Sequence, residues 1–400
     1  MWKDIIMVRN KERLFNLTNL KHGLFIFTIC LNLSSFIAFN NQSSLMLSGI
    51  SWIVQLFPFI IATLSLFDGE INLKDIIVFI LLLILGYAIY YNSKDSNVFR
   101  LALYIFSFRR ANPIRILKDF FWISLISLIS TVIFSFFGIA ANLTSIDNGT
   151  VKYSLGFTQP NLLGRTVFSL LLITITLILI FELNLKGIKK FLFYFFMLIL
   201  FVILYVSSST TPIITIAVGL VLYFFIRKWK KTGNIFLKKF IVILGLFIML
   251  SSFLFSFYSV FANLNQSKFW IEMNTMFTGR LQFNQEYFHN YGISTFGQFI
   301  ITNTDKQSVW FDGYQFLDNA YLLSLIKFGI IFTIIQILYY FLLYAFVIRR
   351  GKIELIIPIV TLVLYGVAEQ GTIYYYFNFI LLFSSVFYLK KNYTKNRGNK

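Results

Sequence analysis

The chain has 400 residues, 58% hydrophobic and 13% charged, about half the roughly 25% charge of a soluble domain, which excludes an ordinary water-soluble protein. Its net charge of +19 comes from Lys and Arg clustered between apolar runs, the pattern of cytoplasmic loops, and this argues against nucleic-acid binding. The single cysteine, Cys30, lies inside an apolar run and excludes an intrachain disulfide or a thiolate metal cluster.

A polar stretch with Lys3, Arg9, Lys11, Arg13 and Lys21 precedes the first apolar run, at 22–40. No small-residue cleavage signal follows that run, so it reads as a retained span and not a removed signal peptide. Further runs of spanning length cover 51–67, 76–91, 119–140, 162–182, 191–207, 210–226, 239–261, 319–347, 353–369 and 373–389. Crossing the hydrocarbon takes roughly 20 residues, and helices satisfy the backbone there without water. The run at 319–347 is long enough to tilt or to begin as an interfacial helix.

Eleven spans cannot join two cytoplasmic termini, yet Lys/Arg clusters mark both ends, the second being Lys390, Lys391, Lys395 and Arg397. The shorter stretch 99–108, followed by Arg109, Arg110, Arg115 and Lys118, resolves the parity if it also crosses. The clusters at Lys186–Lys190, Arg227–Lys239 and Arg349–Lys352 then all fall inside. The expectation is an all-α, polytopic transmembrane bundle of about 12 spans, a single domain over 1–400 with N and C termini cytoplasmic. The alternative at 99–108 is an interfacial helix and a violated charge rule elsewhere.

In that topology the loop 141–161, the turn Ser207–Thr211, the stretch 262–318 and Glu369–Gly371 are extracytoplasmic. The 262–318 loop carries Lys268, Arg280 and Lys306 against Glu272, Glu286, Asp305, Asp312 and Asp318. It is therefore slightly acidic in a strongly basic chain. Trp270, Phe277, Phe283, Tyr287, Phe288, Tyr291, Phe296 and Trp310 punctuate it, which predicts a loop folded back on the membrane face. Connections beyond about 15 residues are commonly disordered or working parts.

The sequence has no phosphate-binding glycine loop, no Asp-x-Asp pair and no His-Glu-x-x-His box, and its only histidines are His22 and His289. Any reaction must draw on an already activated substrate or a gradient. Arg280 presents a fork of donors suited to phosphate or diphosphate, although a cation snorkelling to headgroups fits equally well. Lys152 and Arg165 lie toward the other side of the same expected crevice. Arg165 falls inside a span, where an unpaired charge is costly. Glu286 and His289 are three apart and share a helix face. Asp318-Asn319 opens the next span, where Asp318 serves either as a helix cap or as a substrate contact. Glu369 ends the apolar run Leu355–Ala368, where burial raises a carboxyl's pKa.

These residues and their order resemble the Wzy-type polysaccharide polymerases of the O-antigen polymerase/ligase family. The stretch Tyr153–Gly164 (YSLGFTQPNLLG) is similar to the family's Gly-Phe-x-(His)-Pro-Asn-x-x-Gly segment, and includes Gln159 and Asn161. Thr278-Gly279-Arg280 is similar to the Gly-Arg near the start of its large loop, and Asp318-Asn319-Ala320-Tyr321 to its Asp-Asn-x-Tyr span opening. Gln159 stands where related polymerases often have His, and the Ser207–Thr211 turn lacks the arginine often found there.

The resemblance implies inverting, metal-independent glycosyl transfer outside a bacterial cytoplasmic membrane, with no cofactor. The substrate would be a polyprenyl-diphosphate-linked oligosaccharide repeat delivered by a flippase, with coupling to a chain-length regulator. Arg280 and Arg165 would stabilise the leaving diphosphate. Glu369, His289 and Asp318 are the candidate bases, with Lys152, Gln159, Asn161, Glu286 and Asn319 as substrate contacts. A lipid-linked-glycan ligase shares this chemistry. A repeat-unit flippase would instead show related halves and a cavity reaching both faces; no half-to-half similarity is found, and the polar landmarks gather on one face.

Overall fold

A computed structural model describes residues 2–39, 44–67, 72–147, 150–182, 186–207, 209–264, 266–301 and 317–384. Ser208, the 302–316 part of the long loop with Asp305, Lys306, Trp310 and Asp312, and the C-terminal basic cluster lie outside them. The helices are α1 (Trp2–Ser34), α2 (Ser44–Leu66), α3 (Leu73–Ser93), α4 (Asn97–Ser107) and α5 (Pro113–Phe136). They continue with α6 (Pro160–Phe181), α7 (Gly187–Val206), α8 (Thr210–Thr232), α9 (Ile235–Tyr258), α10 (Lys268–Met276) and α11 (Arg280–Tyr291). The last are α12 (Ala320–Leu323), α13 (Gly329–Arg349) and α14 (Ile356–Tyr365). Seven helical stretches among the described residues are long and apolar enough to cross a membrane: α3, α5, α6, α7, α8, Ile235–Phe261 and Ala320–Arg349.

Burial sorts these helices. Of the most apolar window of α6, 83% is buried, against 17% for α3 and for α7. α6 is therefore the axis of the bundle, and α3 and α7 present apolar side chains outward, as lipid-facing helices do.

The 99–108 stretch is part of α4, an 11-residue helix of about 16 Å, which returns antiparallel along α3. Phe99 packs on Gly86, where a Cβ would come within 3.0 Å of the Phe99 backbone. Phe106 stacks on Phe79 at 3.9 Å. Just past the helix, Arg109 and Arg110 reach Asp75, near the start of α3, at 3.7 and 3.5 Å. α4 and the turn after it together carry the chain back to the level at which α3 began.

Three expectations change. The helical bundle is as expected, with one addition: β1 (Thr144–Asp147) and β2 (Thr150–Tyr153) form an antiparallel hairpin in the 141–161 loop. Isolated bridges Ile37–Phe157 and Phe39–Ala140 tie that loop to the end of α1. The 319–347 run is broken by a π turn at Ser324–Phe328 between α12 and α13. In the 353–369 run, a short 3-10 turn (Ile353–Leu355) leads into α14, whose 10 residues are almost entirely buried. The 373–389 run is not helical as far as it is described. Short 3-10 turns at Gln370–Ile373 and Phe379–Leu382 flank a buried irregular segment. Asn378 supports that segment by donating to the Thr372 carbonyl at 2.6 Å and the Tyr340 hydroxyl at 2.9 Å. Irregular backbone is tolerated at membrane depth where protein surrounds it.

Charge separates along the bundle. Lys118 lies over Phe181 at the C-terminal end of α6. Nearby, Lys230 pairs with Glu182 at 3.2 Å and Glu354 at 3.3 Å. The N-terminal end of α6, the β hairpin and α10–α11 lie at the opposite end. There Gly156 takes φ +94, and a Cβ would meet the Thr131 carbonyl oxygen at 2.6 Å. Glycine is needed at 156 for both reasons.

Candidate functional site

The N-terminus of α6 begins the site. Pro160 occupies the first turn, and Gln159 precedes it in extended backbone. Gly164 lets Ser207 and Ser209 approach, since a Cβ would lie 2.5 Å from the Ser209 hydroxyl. That hydroxyl donates to Asn161 Oδ1 at 3.4 Å. Arg165 follows on the same helix and is buried among α6, α14 and the segment beyond α14. Its guanidinium lies over the Phe377 ring at 4.7 Å. Gly371 makes room for it, because a Cβ there would come within 2.7 Å of that group.

α14 ends at Tyr365, whose ring stacks on Phe168 at 4.5 Å, and the chain turns into extended backbone at Glu369. The start of α12 docks on this end: the Ala320 N–H donates to the Gly366 carbonyl at 2.8 Å, and the Tyr321 hydroxyl to the Val363 carbonyl at 2.6 Å. This docking brings Asp318 toward Glu369. From the long loop, Gly279, φ +79, leads into α11, whose first residue is Arg280. Gln285 anchors that helix by donating to the carbonyls of Ser259 at 2.9 Å and Ala262 at 2.7 Å.

Four charges meet. Arg165 donates to one Glu369 oxygen at 2.9 Å. Arg280 approaches the other at 3.3 Å, places its Nε 3.1 Å from Asp318, and also donates to the Ala368 carbonyl. The chain Arg165–Glu369–Arg280–Asp318 is electrically balanced, with Glu369 only 4% exposed. Removing one member of a buried pair leaves its partner's charge without compensation. Burial drives the Asp318 carboxyl up to about 6 against the opposing pull of Arg280. Burial also lowers Arg280, but Glu369 and Asp318 outweigh it, and the guanidinium is held above its ordinary value. Asp318 therefore changes charge near neutrality while Arg280 stays a cation.

A cavity of about 470 Å³ opens beside this chain of charges. Arg280 and Glu369 form one wall; Lys152, from β2, and Asn161 are also on its lining. Ser209, Thr210, Thr211, Thr215, Thr275 and Thr278 add hydroxyls, and Phe277 an aromatic face. A largely apolar enclosure with a few convergent polar groups is the usual form of a ligand site.

Not every expected residue arrives there. Arg165 stands behind Glu369 and does not line the cavity, so its direct partner is the carboxylate. Asp318 is likewise one residue removed, through Arg280. Asn319 is buried and caps α12, accepting from the N–H groups of Tyr321 and Leu322 at 3.0 and 3.1 Å while donating to Ser256. Asn319 is therefore the helix cap, and Asp318 is left for the ion pair. Glu286 and His289 do share α11 with Arg280, but neither lines the cavity, and Glu286 accepts from Gln282 at 3.0 Å. Gln159 is exposed and also off the lining. The hydroxyl wall, Tyr365, Phe377 and Gly371 were not anticipated. The run Ser207–Thr211 was the available signal for the first of these; nothing local marks the others.

Among the described residues, no three His, Cys, Asp or Glu side chains gather as a metal-holding group. Comparison of the chain with family models, with curated proteins and with solved structures found no match.

Proposed function

We propose that the chain is a membrane glycosyltransferase of the bacterial cytoplasmic membrane that polymerises polyprenyl-diphosphate-linked oligosaccharide repeats on the outer face. In this reading the chain crosses about 12 times, with α4 and its flanks as one crossing and both termini cytoplasmic. The observation that carries it is the convergence of two arginines on Glu369 beside a hydroxyl-lined cavity, at the end away from the basic clusters. That separation follows the bias of Lys and Arg toward the cytoplasm. The resemblance noted in the sequence supplies the substrate class.

In the reaction, the acceptor hydroxyl oxygen bonds to the anomeric carbon from the face opposite the diphosphate. The carbon–oxygen bond to the diphosphate breaks with its electron pair, and the hydroxyl proton passes to a base. Negative charge grows on the diphosphate, where Arg280 stabilises it more than in the ground state. Arg165 is a positioning residue that holds Glu369. Of the candidate bases, only Glu369 lines the cavity. A diphosphate that draws Arg280 away leaves Glu369 paired with Arg165 alone. Asp318 holds Arg280 from its other side, and His289 takes no part. The hydroxyl wall and Phe277 provide sugar contacts and exclude water, which would otherwise divert transfer to hydrolysis.

The test supplies purified protein with a short polyprenyl-diphosphate oligosaccharide and separates the products by size. Products spaced by whole repeats are expected, and Arg280→Ala abolishes them while the protein remains folded and inserted. Transfer only to a different lipid or protein makes the chain a ligase. Movement of substrate across the bilayer without new glycosidic bonds contradicts both.

A further inference from the structure

The residue types of α10 divide around the helix. At about 100° per residue, Lys268, Glu272 and Thr275 fall on one side, and Phe269, Met273 and Met276 on the side next to it. Trp270 and Phe277 come next round and face the protein. The Trp270 ring lies 5.7 Å from Phe255 and 5.9 Å from Tyr258, and the Phe277 ring 5.5 Å from Phe255. Even so, no residue of α10 is buried. The Lys268 and Glu272 side chains are 92% and 67% exposed, as solvated charges are. Phe269 is 58% and Met276 62% exposed as well. Large apolar side chains gathered on one flank of a helix call for an apolar cover.

The neighbouring surface identifies that cover. α9 belongs to the apolar stretch Ile235–Phe261, long enough to cross a membrane. Ile243, Phe247, Leu250, Leu254, Tyr258 and Phe261 form an exposed stripe along it, at the three- and four-residue spacing of one helix face. In a chain that spans a membrane such a stripe faces lipid. Tyr258, near its end, is a ring that Trp270 meets, and Phe269 packs edge-on against Trp270 at 5.1 Å. The apolar flank of α10 thus continues the lipid-facing surface of α9. Trp and Tyr gather at the level of the head groups, and Trp270 and Tyr258 sit where the span gives way to the loop. A helix with a charged side and an apolar side lies in that interface, its apolar side toward the acyl chains.

We infer that α10 is an in-plane membrane helix whose partner is the lipid leaflet at the hairpin end of the bundle. Phe269, Met273 and Met276 turn to the acyl chains, and Lys268, Glu272 and Thr275 turn to water. The inference needs the bundle to span a membrane, but rests neither on the direction of crossing nor on glycosyl transfer. Thr275 and Met276 also line the cavity of about 470 Å³, so the seat of α10 in the leaflet sets the cavity mouth at the depth of the head groups. The full-length Cys30→Ser protein, carrying a nitroxide label on a single cysteine, is reconstituted in phosphatidylcholine vesicles. Spin relaxation by oxygen, which concentrates in lipid, is compared with relaxation by a water-soluble nickel chelate. Phe247→Cys, within the α9 stripe, calibrates the lipid. The ratio of oxygen to nickel accessibility is expected to be several-fold higher at Phe269→Cys than at Glu272→Cys. Met273→Cys gives the same order and covers the case in which a label at 269 disturbs the packing on Trp270. Nickel access at 269 and 273 equal to that at 272 places the flank in water, and access by neither reagent places it under protein, such as a second copy of the chain; either result overturns the inference.

Discussion

Glu369 is held by two guanidinium groups at once, and among the described residues Arg165 makes no ion pair apart from the one with that carboxylate. Arg165→Ala therefore leaves a buried carboxylate half-compensated, a loss of about 3–5 kcal/mol when one member of such a pair is removed. The expected outcome is a clear fall in Tm together with lost transfer. Arg165→Met combined with Glu369→Gln recovers part of the Tm and none of the transfer, which separates stability from chemistry. An Arg165→Ala protein as stable as wild type contradicts the pairing.

Asp318 carries the pH prediction. Its carboxyl lies at about 6, so it is ionised above that pH and holds Arg280 there. Wild-type transfer falls as pH drops through about 6, and Asp318→Asn removes this inflection from the rate profile. The stability sign is opposite. The folded pKa stands above the unfolded value of about 3.9, so this carboxyl's stabilising contribution is complete below about 4 and lost as pH rises through about 6. Asp318→Asn therefore flattens the dependence of Tm on pH across that window; a variant whose Tm still falls with rising pH as wild type does contradicts the raised pKa.

Residues of this kind are legible from sequence because a charge at the edge of an apolar run has few innocuous explanations. Arg165, Asp318 and Glu369 stand out in that way, and Arg280 stands out as a guanidinium fork within the long loop. Their mutual contacts are not legible, since residues 165 and 369 meet only through the packing of α6 against α14. His289 and Glu286 show the converse. Their spacing does place them on one helix, but spacing says nothing of which face turns to the cavity.

Hydropathy reads thickness, not conformation, and the elements show the consequence. Most of the long runs became long helices, whereas 353–369 gave only the 10-residue α14 and 373–389 did not become a helix over its described part. Its side chains Tyr374, Tyr375, Tyr376, Phe377 and Asn378 find their partners inside the protein, so the run is apolar because it is buried, not because lipid surrounds it. The same ambiguity hid the break at the π turn before Gly329, where φ is +89 and a Cβ would lie 2.4 Å from the Gly297 amide nitrogen.

α4 offers a direct test at this scale. With Cys30→Ser as background, single cysteines at Lys94 and Lys118, both exposed, bracket α4. An impermeant thiol reagent applied to intact cells labels Lys94→Cys and spares Lys118→Cys until the membrane is opened. Labelling of both from outside makes α4 an interfacial helix. Gly156→Ala is predicted to lower Tm, since it adds strain at φ +94 and a collision with Thr131; an unchanged Tm removes the need for glycine there.

The whole molecule is organised by the distance between its two charged ends. One end gathers Lys and Arg with few acids, and the other holds a balanced chain of arginines and carboxylates beside a cavity of about 470 Å³. A single buried helix, α6, connects them, carrying Arg165 near its start and approaching Lys230 near its close. That polarity was visible in the sequence as alternating basic and polar loops. The joining of the long loop to α14 was not, because it depends on contacts between segments roughly 90 residues apart. The account as a whole requires the cavity to face outward and to be the place of transfer. Thr275, exposed on α10 and on the cavity wall, probes both in one measurement. A Thr275→Cys, Cys30→Ser protein is reconstituted, treated from its outer side with a bulky impermeant thiol reagent, and assayed for repeat-spaced products. Labelling with loss of the ladder is the predicted result; a labelled protein with an undiminished ladder, or labelling only from the cytoplasmic side, contradicts it.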